Sequence, residues 1–193
     1  MKSNLFILIL TLFSSSLIAQ NEEVDTDDSI GISCYVSPLF ETTNMIKQSY
    51  FVGGSGAIFL NSNYFIGGFG VTMTNYFKTD RGKFSGNELD FGGGGLLGGA
   101  VLFPSKKIHP IISIWAGGGS ISLSDAKKVR IKDAFDGFYL FNGTIEIEYR
   151  IIKNLAIGLG AHYQQVVGLK LDGYSQKEFC GPGFYANIKA GLF

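Results

Sequence analysis

Residues 139–164, YLFNGTIEIEYRIIKNLAIGLGAHYQ, restrict the fold more than any other stretch of the chain. Taken every second residue, Tyr139, Phe141, Gly143, Ile145, Ile147, Tyr149 and Ile151 form an apolar, aromatic set. Between them Leu140, Asn142, Thr144, Glu146, Glu148 and Arg150 turn polar and charged. A repeat of two marks a β-strand, whose successive side chains point to opposite faces. After Ile152, Lys153 and Asn154 the alternation resumes, with Leu155, Ile157, Leu159, Ala161 and Tyr163 apolar and Ala156, Gly158, Gly160, His162 and Gln164 small or polar. Two such runs around a short turn predict a β-hairpin. Opposed residues share a face, so Ile151 is expected opposite Leu155, across a three-residue turn with Asn154 left-handed. That register sets Tyr149 beside Ile157, Ile147 beside Leu159, Glu148 beside Gly158, Glu146 beside Gly160 and Thr144 beside His162. The glycines then leave room for the long carboxylates.

The same alternation recurs along the rest of the chain, after a different beginning. Lys2, the apolar run 5–13 and the small polar stretch 14–19 predict a secretory signal peptide ending at Ala19. An acidic lead-in, 20–29, and one barrel domain, 30–193, are expected to follow. The chain holds 16 Lys and Arg against 16 Asp and Glu, so losing Lys2 leaves it close to neutral, with no electrostatic basis for nucleic-acid binding. No later run is long and apolar enough for a membrane helix. Cys34 and Cys180 lie in an exported chain where disulfides can form. Two unpaired thiols is the plainer reading, and a bridge between the first and last strands is the alternative.

Strands are expected at 30–39, 50–60, 64–76, 88–103, 108–122, 139–151, 155–164 and 184–193. Three short connections, 61–63, 104–107 and 152–154, alternate with four long polar ones, 41–49, 77–87, 123–137 and 166–181. All the short turns and both termini then fall at one end. This asymmetry predicts an all-β fold, an eight-stranded antiparallel up-and-down transmembrane β-barrel preceded by a cleaved signal peptide. Lipid demands closure, because an open sheet edge would leave backbone groups unpaired in hydrocarbon. Tyr64, Phe103, Tyr149 and Phe193 near one end, and Tyr50, Tyr76, Phe77, Tyr139 and Tyr163 near the other, fit two interfacial girdles.

The leader, the eight alternating runs and the terminal Phe193 resemble the small outer-membrane β-barrels of Gram-negative bacteria, the OmpA- and OmpX-like barrels. The stretch IEIEYRIIKNLAIGLGAHYQ and the ending YANIKAGLF are similar to the "outer membrane protein beta-barrel domain" family, which includes PorT-like proteins. The resemblance implies a monomer in the outer membrane, in contact with its lipid and lipopolysaccharide and inserted by the barrel-assembly machinery. Phe193 would be the assembly signal that this machinery reads, although it is out of phase with Phe184, Ala186, Ile188, Ala190 and Leu192. Long extracellular loops would meet a protein partner. PorT-like membership would instead make the chain a subunit of an envelope secretion or assembly machine.

A lumen polar network is expected from Asp90, Glu146, Glu148, Arg150, His162 and Lys189, joined by Glu88, Gln164 and Asn187. An eight-stranded barrel is just wide enough for side chains to fill it. Isolated buried charges are costly, so Arg150 and Lys189 should meet carboxylates. A polar plug is the reading, and a narrow ion path the alternative. His162 with Glu146 or Glu148 could begin a hydrolytic relay of a lipid-modifying enzyme. The hydroxyl expected two residues later is replaced by Gln164, so no enzymatic activity is expected. Residues 93–98, GGGLLG, match a dinucleotide fingerprint formally, but no helix follows. Two His and two Cys lack metal-ligand spacing, and no cofactor is expected. The basic run 127–132, KKVRIK, reads as a solvated loop, with lipopolysaccharide phosphate as the alternative partner.

Overall fold

A computed structural model describes residues 33–61, 63–75, 77–80, 85–124 and 130–192, with the side chains of 130–134 excepted. The signal peptide 1–19, the lead-in 20–29 and the assembly signal Phe193 lie outside these residues.

Among the described residues nine strands run in chain order: β1 (Cys34–Asn44), β2 (Gln48–Phe59), β3 (Tyr64–Met73), β4 (Phe77–Lys78), β5 (Glu88–Val101), β6 (Ile108–Ser124), β7 (Arg130–Ile152), β8 (Leu155–Val167) and β9 (Gly181–Leu192). Eight of them pair antiparallel, each with its neighbours. β3 pairs with β5, and β1 with β9, so the sheet closes into a barrel. β4 is a two-residue ladder on the end of β5.

The hairpin register is the expected one: Tyr149 opposes Ile157, Glu148 opposes Gly158, Glu146 opposes Gly160 and Thr144 opposes His162. Its turn is not. Ile152 pairs with Leu155 around Lys153 and Asn154, and the register shift is taken up between Arg150 and Ile152. Ile151 is thus a bulge, which restores the parity that a two-residue turn would break. Asn154 is not left-handed, since Phe103 is the one non-glycine with positive φ among the described residues.

Several long connections shrink, because polar sequence continues as strand. The stretch ETTN, 41–44, extends β1, so the link to β2 is only 45–47. β6 and β7 reach to Ser124 and back from Arg130, absorbing most of the expected loop 123–137. The connection 168–180 is long and contains a short 3-10 helix, Gln176–Phe179. Both cysteines are free thiols. Cys34 lies level with Leu192, whereas Cys180 precedes the start of β9, so the length of that strand, about 40 Å at roughly 3.3 Å per residue, separates them.

Candidate functional site

The barrel is polar in part of its lumen and apolar outside. On β7, Ile145 and Ile147 are exposed while Glu146 and Glu148 are buried. The outer face carries Val36, Phe40, Val52, Ile58, Ile66, Ile112, Ile114, Leu159 and Ile188, all exposed. Tyr64 and Tyr149 stand outward towards the short-turn end, and Tyr50, Tyr139 and Tyr163 towards the other. Phe77, expected in a girdle, instead packs against the core, and Tyr76 lies outside the described residues.

Inside, near the short turns, β6, β7 and β9 bring charges together. Lys189 Nζ donates to Glu146 Oε1 and to Glu148 Oε2, each at 2.6 Å. Asn187 Nδ2 donates to Glu146 Oε2 at 2.9 Å. His109 Nε2 lies 3.0 Å from Glu148 Oε1, and its Nδ1 lies 2.9 Å from the Lys106 carbonyl. His109 thus links the turn at Lys106 to the Glu148 carboxylate. Lys189 also lies 5.1 Å from the centroid of the Tyr35 ring.

Room for this cluster comes from β8. A Cβ on Gly158 would fall on the Glu146 carboxylate and the Asn187 side-chain oxygen, and one on Gly160 would fall on the Tyr185 ring. Of the six network residues expected from sequence, Glu146, Glu148 and Lys189 meet directly. Arg150 lies on the same side of β7, half-buried beside the turn.

His162 does not join Glu146 or Glu148. Its Nε2 lies 3.0 Å from Thr43 Oγ1 and 3.1 Å from Glu41 Oε1, and the Thr43 hydroxyl donates to the same carboxylate oxygen at 3.0 Å. Asp90 is a correction: Leu89 and Phe91 on either side of it are fully buried in the core, so Asp90 faces the other way, out of the lumen. Glu88 shares that outward parity. Glu41, Thr43 and His109 were missed. Glu41 and Thr43 were readable as the continuation of the odd-numbered inward set Tyr35, Ser37 and Leu39. His109 sits beside Pro110 and carried no such signal.

Above the polar cluster the lumen changes character. Ser113 and Thr144 hydroxyls bond at 2.6 Å, and Trp115 Nε1 donates to Ser113 Oγ at 2.9 Å. Trp115 packs on Phe69 and Tyr185, with centroids 4.9 and 5.6 Å apart. Towards the long connections Phe91 stacks on Phe138 at 4.6 Å and meets Phe51 edge-on at 5.7 Å. Phe179 of the short helix, fully buried, lies 6.5 Å from Phe91. Gln164 Nε2 donates to the Phe179 carbonyl at 3.0 Å. The segment 168–180 is tied down further by Tyr174, whose hydroxyl donates to Asp80 Oδ1 at 2.8 Å. The lumen is therefore a polar cluster closed by an apolar plug. Among the described residues no three His, Cys, Asp or Glu side chains are placed to hold a metal ion.

A closed, filled, eight-stranded antiparallel barrel is the class that this fold defines. No protein-family model and no curated protein matches the sequence. Among solved structures the chain is similar to Neisserial surface protein A (NspA), at 10% identity and a TM-score of 0.64, over 85% of this chain and 99% of that one. It is similar also to the N-terminal β-barrel domain of Pseudomonas aeruginosa OprF, at 11% identity and 0.55, over 83% and 97%. Ail, the attachment invasion locus protein of Yersinia pestis, gives 13% and 0.50, over 83% and 96%. At such identities the likeness is one of fold.

Proposed function

We propose that this chain is an integral, monomeric β-barrel of the bacterial outer membrane, with a structural or interaction role carried by its connections at the end opposite the short turns. The carrying observation is the inverted polarity: isoleucine, leucine and phenylalanine ring the outside while lysine, glutamate and histidine sit within. Leaving that outer face in water would forgo about 25 cal/mol for each Å² of apolar surface, which lipid recovers. A twelve-residue strand such as β2 rises about 30 Å when tilted by about 40°, enough to cross the hydrocarbon. Closure leaves no sheet edge in that layer.

Outer-membrane lipid and lipopolysaccharide meet the belt in this reading, the barrel-assembly machinery acts during insertion, and a protein partner docks at the long connections. Catalysis is not part of it. Glu41 and Thr43 contact the same nitrogen of His162, so the acid does not orient the ring from its far side as a relay requires, and Thr43 is fully buried. A PorT-like role in an envelope machine is favoured only by the sequence patterns of the hairpin and of the ending YANIKAGLF. Co-purification with other envelope proteins would promote it.

Two experiments test the reading. Protease added to intact cells should cut within the connection 168–180 and spare the turn after Ile152; cleavage at that turn alone would reverse the orientation. In planar bilayers the filled lumen should give no large, stable conductance steps, and well-resolved large steps would contradict the plug.

A further inference from the structure

We propose that the short-turn end of the barrel is a binding surface for anionic phospholipid headgroups. This rests on the membrane reading above and adds a lipid class and a place. The three connections at this end, after β3's partner strand β2, after β5 and after β7, form one continuous rim. Val101 N–H donates to the Asn63 carbonyl at 2.7 Å, and Asn63 Nδ2 to the Val101 carbonyl at 3.2 Å, joining the 60–63 turn to the 102–107 turn. Arg150 N–H donates to the Lys107 carbonyl at 2.9 Å, joining that turn to the one after Ile152. Among the described residues of these connections there is no Asp or Glu, while Lys106, Lys107 and Lys153 are all exposed. Lys107 Nζ lies 6.0 Å from the centroid of the Tyr149 ring, at the lower edge of the apolar belt.

Apolar side chains stand among these lysines: Leu60 is 67% exposed, Phe103 69% and Ile152 61%. Phe103 holds this position at a φ of 56°, a region that costs a bulky side chain strain. The bulge sets Ile151 and Ile152 outward in succession. Water gives neither feature a reason. A headgroup boundary accounts for both, because the apolar tips enter the acyl region while the ammonium groups meet phosphate. Leu60, Phe103 and Ile152 stand beside the lower edge of the apolar belt, where Lys107 meets Tyr149, so the observations favour lipid over a soluble acidic polymer.

The test is association of spin-labelled phosphatidylglycerol and phosphatidylcholine with the purified full chain, reconstituted in phosphatidylcholine bilayers containing about 30% phosphatidylglycerol. Wild type should prefer the anionic lipid by about five-fold or more, the worth of a single well-placed lysine. The preference should fall towards parity in Lys106→Gln/Lys107→Gln/Lys153→Gln and in about 0.5 M salt. It should survive in Lys170→Gln/Lys177→Gln, which removes two exposed lysines from the opposite end. Equal association of both lipids with wild type would overturn the proposal, as would loss of the preference in the Lys170/Lys177 variant alone. Heat-dependent gel mobility of the same samples separates the two claims. A chain that never inserts contradicts the membrane reading, whereas an inserted barrel without lipid preference contradicts only the rim.

Discussion

Lys189 holds two carboxylates at once, and removing it would take the ammonium away from both of these buried groups. Breaking a buried ion pair from one side costs about 3–5 kcal/mol. Lys189→Met should therefore lower the urea midpoint of the folded-barrel gel band sharply. Adding Glu146→Gln and Glu148→Gln to it should recover most of the loss; a triple variant as unstable as the single one would show that charge is not the cause. Gly158 offers a second contrast. Its missing Cβ is the space occupied by the Glu146 carboxylate, so Gly158→Ala should cost about 1–3 kcal/mol by overpacking. Gly143→Ala, where nothing lies within 4 Å, should be close to neutral in the same unfolding assay. Asp90 departs from the expected lumen network for a physical reason. The rule that charge points into the lumen holds where the outside is lipid. Asp90 lies near the long-connection end of β5, where the outside is water in this reading, and the lumen there is filled by Leu89 and Phe91. Glu41 and Thr43 failed in the opposite sense, because ETTN is polar on both faces and so resembles a loop.

The strands differ in how legible they were, and the reason is what each face meets. β7 and β8 have hydrocarbon-like surroundings on one face and a polar lumen on the other, so their period-two pattern is clean and the register followed from parity alone. β3 and β5 do not. Phe65, Phe69, Val71 and Met73 point inward, while Gly68 and Gly70 lie on the outer side, so alternation was visible but its sign was not. The turn after Ile152 shows the limit of parity arguments: a two-residue turn with a bulge and a three-residue turn without one give the same register beyond it. On the outer face of β7 the account expects a depth-dependent penalty. Ile145→Arg, midway along the crossing, should cost about 2–4 kcal/mol in folding from urea into lipid vesicles. Thr72→Arg, exposed at the far end of β3, should cost much less. Equal costs at the two positions would argue against a lipid-facing belt.

The barrel is closed twice over, by charge at one end of the lumen and by aromatic packing at the other. Phe179 is the part of the plug supplied by a connection rather than a strand. Phe179→Ala should remove about 3–5 kcal/mol of packing and make cutting within 168–180 faster than in wild type without abolishing the barrel, which timed limited digestion of the folded protein would register. The direction in which the apolar face looks, outward to lipid rather than inward to a protein core, is the claim from which the loop, lumen and rim assignments descend. Gel mobility of the purified membrane fraction, with and without boiling, tests it most directly. The expected result is an outer-membrane band that migrates differently before and after heating, as a detergent-resistant closed barrel does. A soluble protein in the periplasmic fraction with no heat-dependent shift would contradict it.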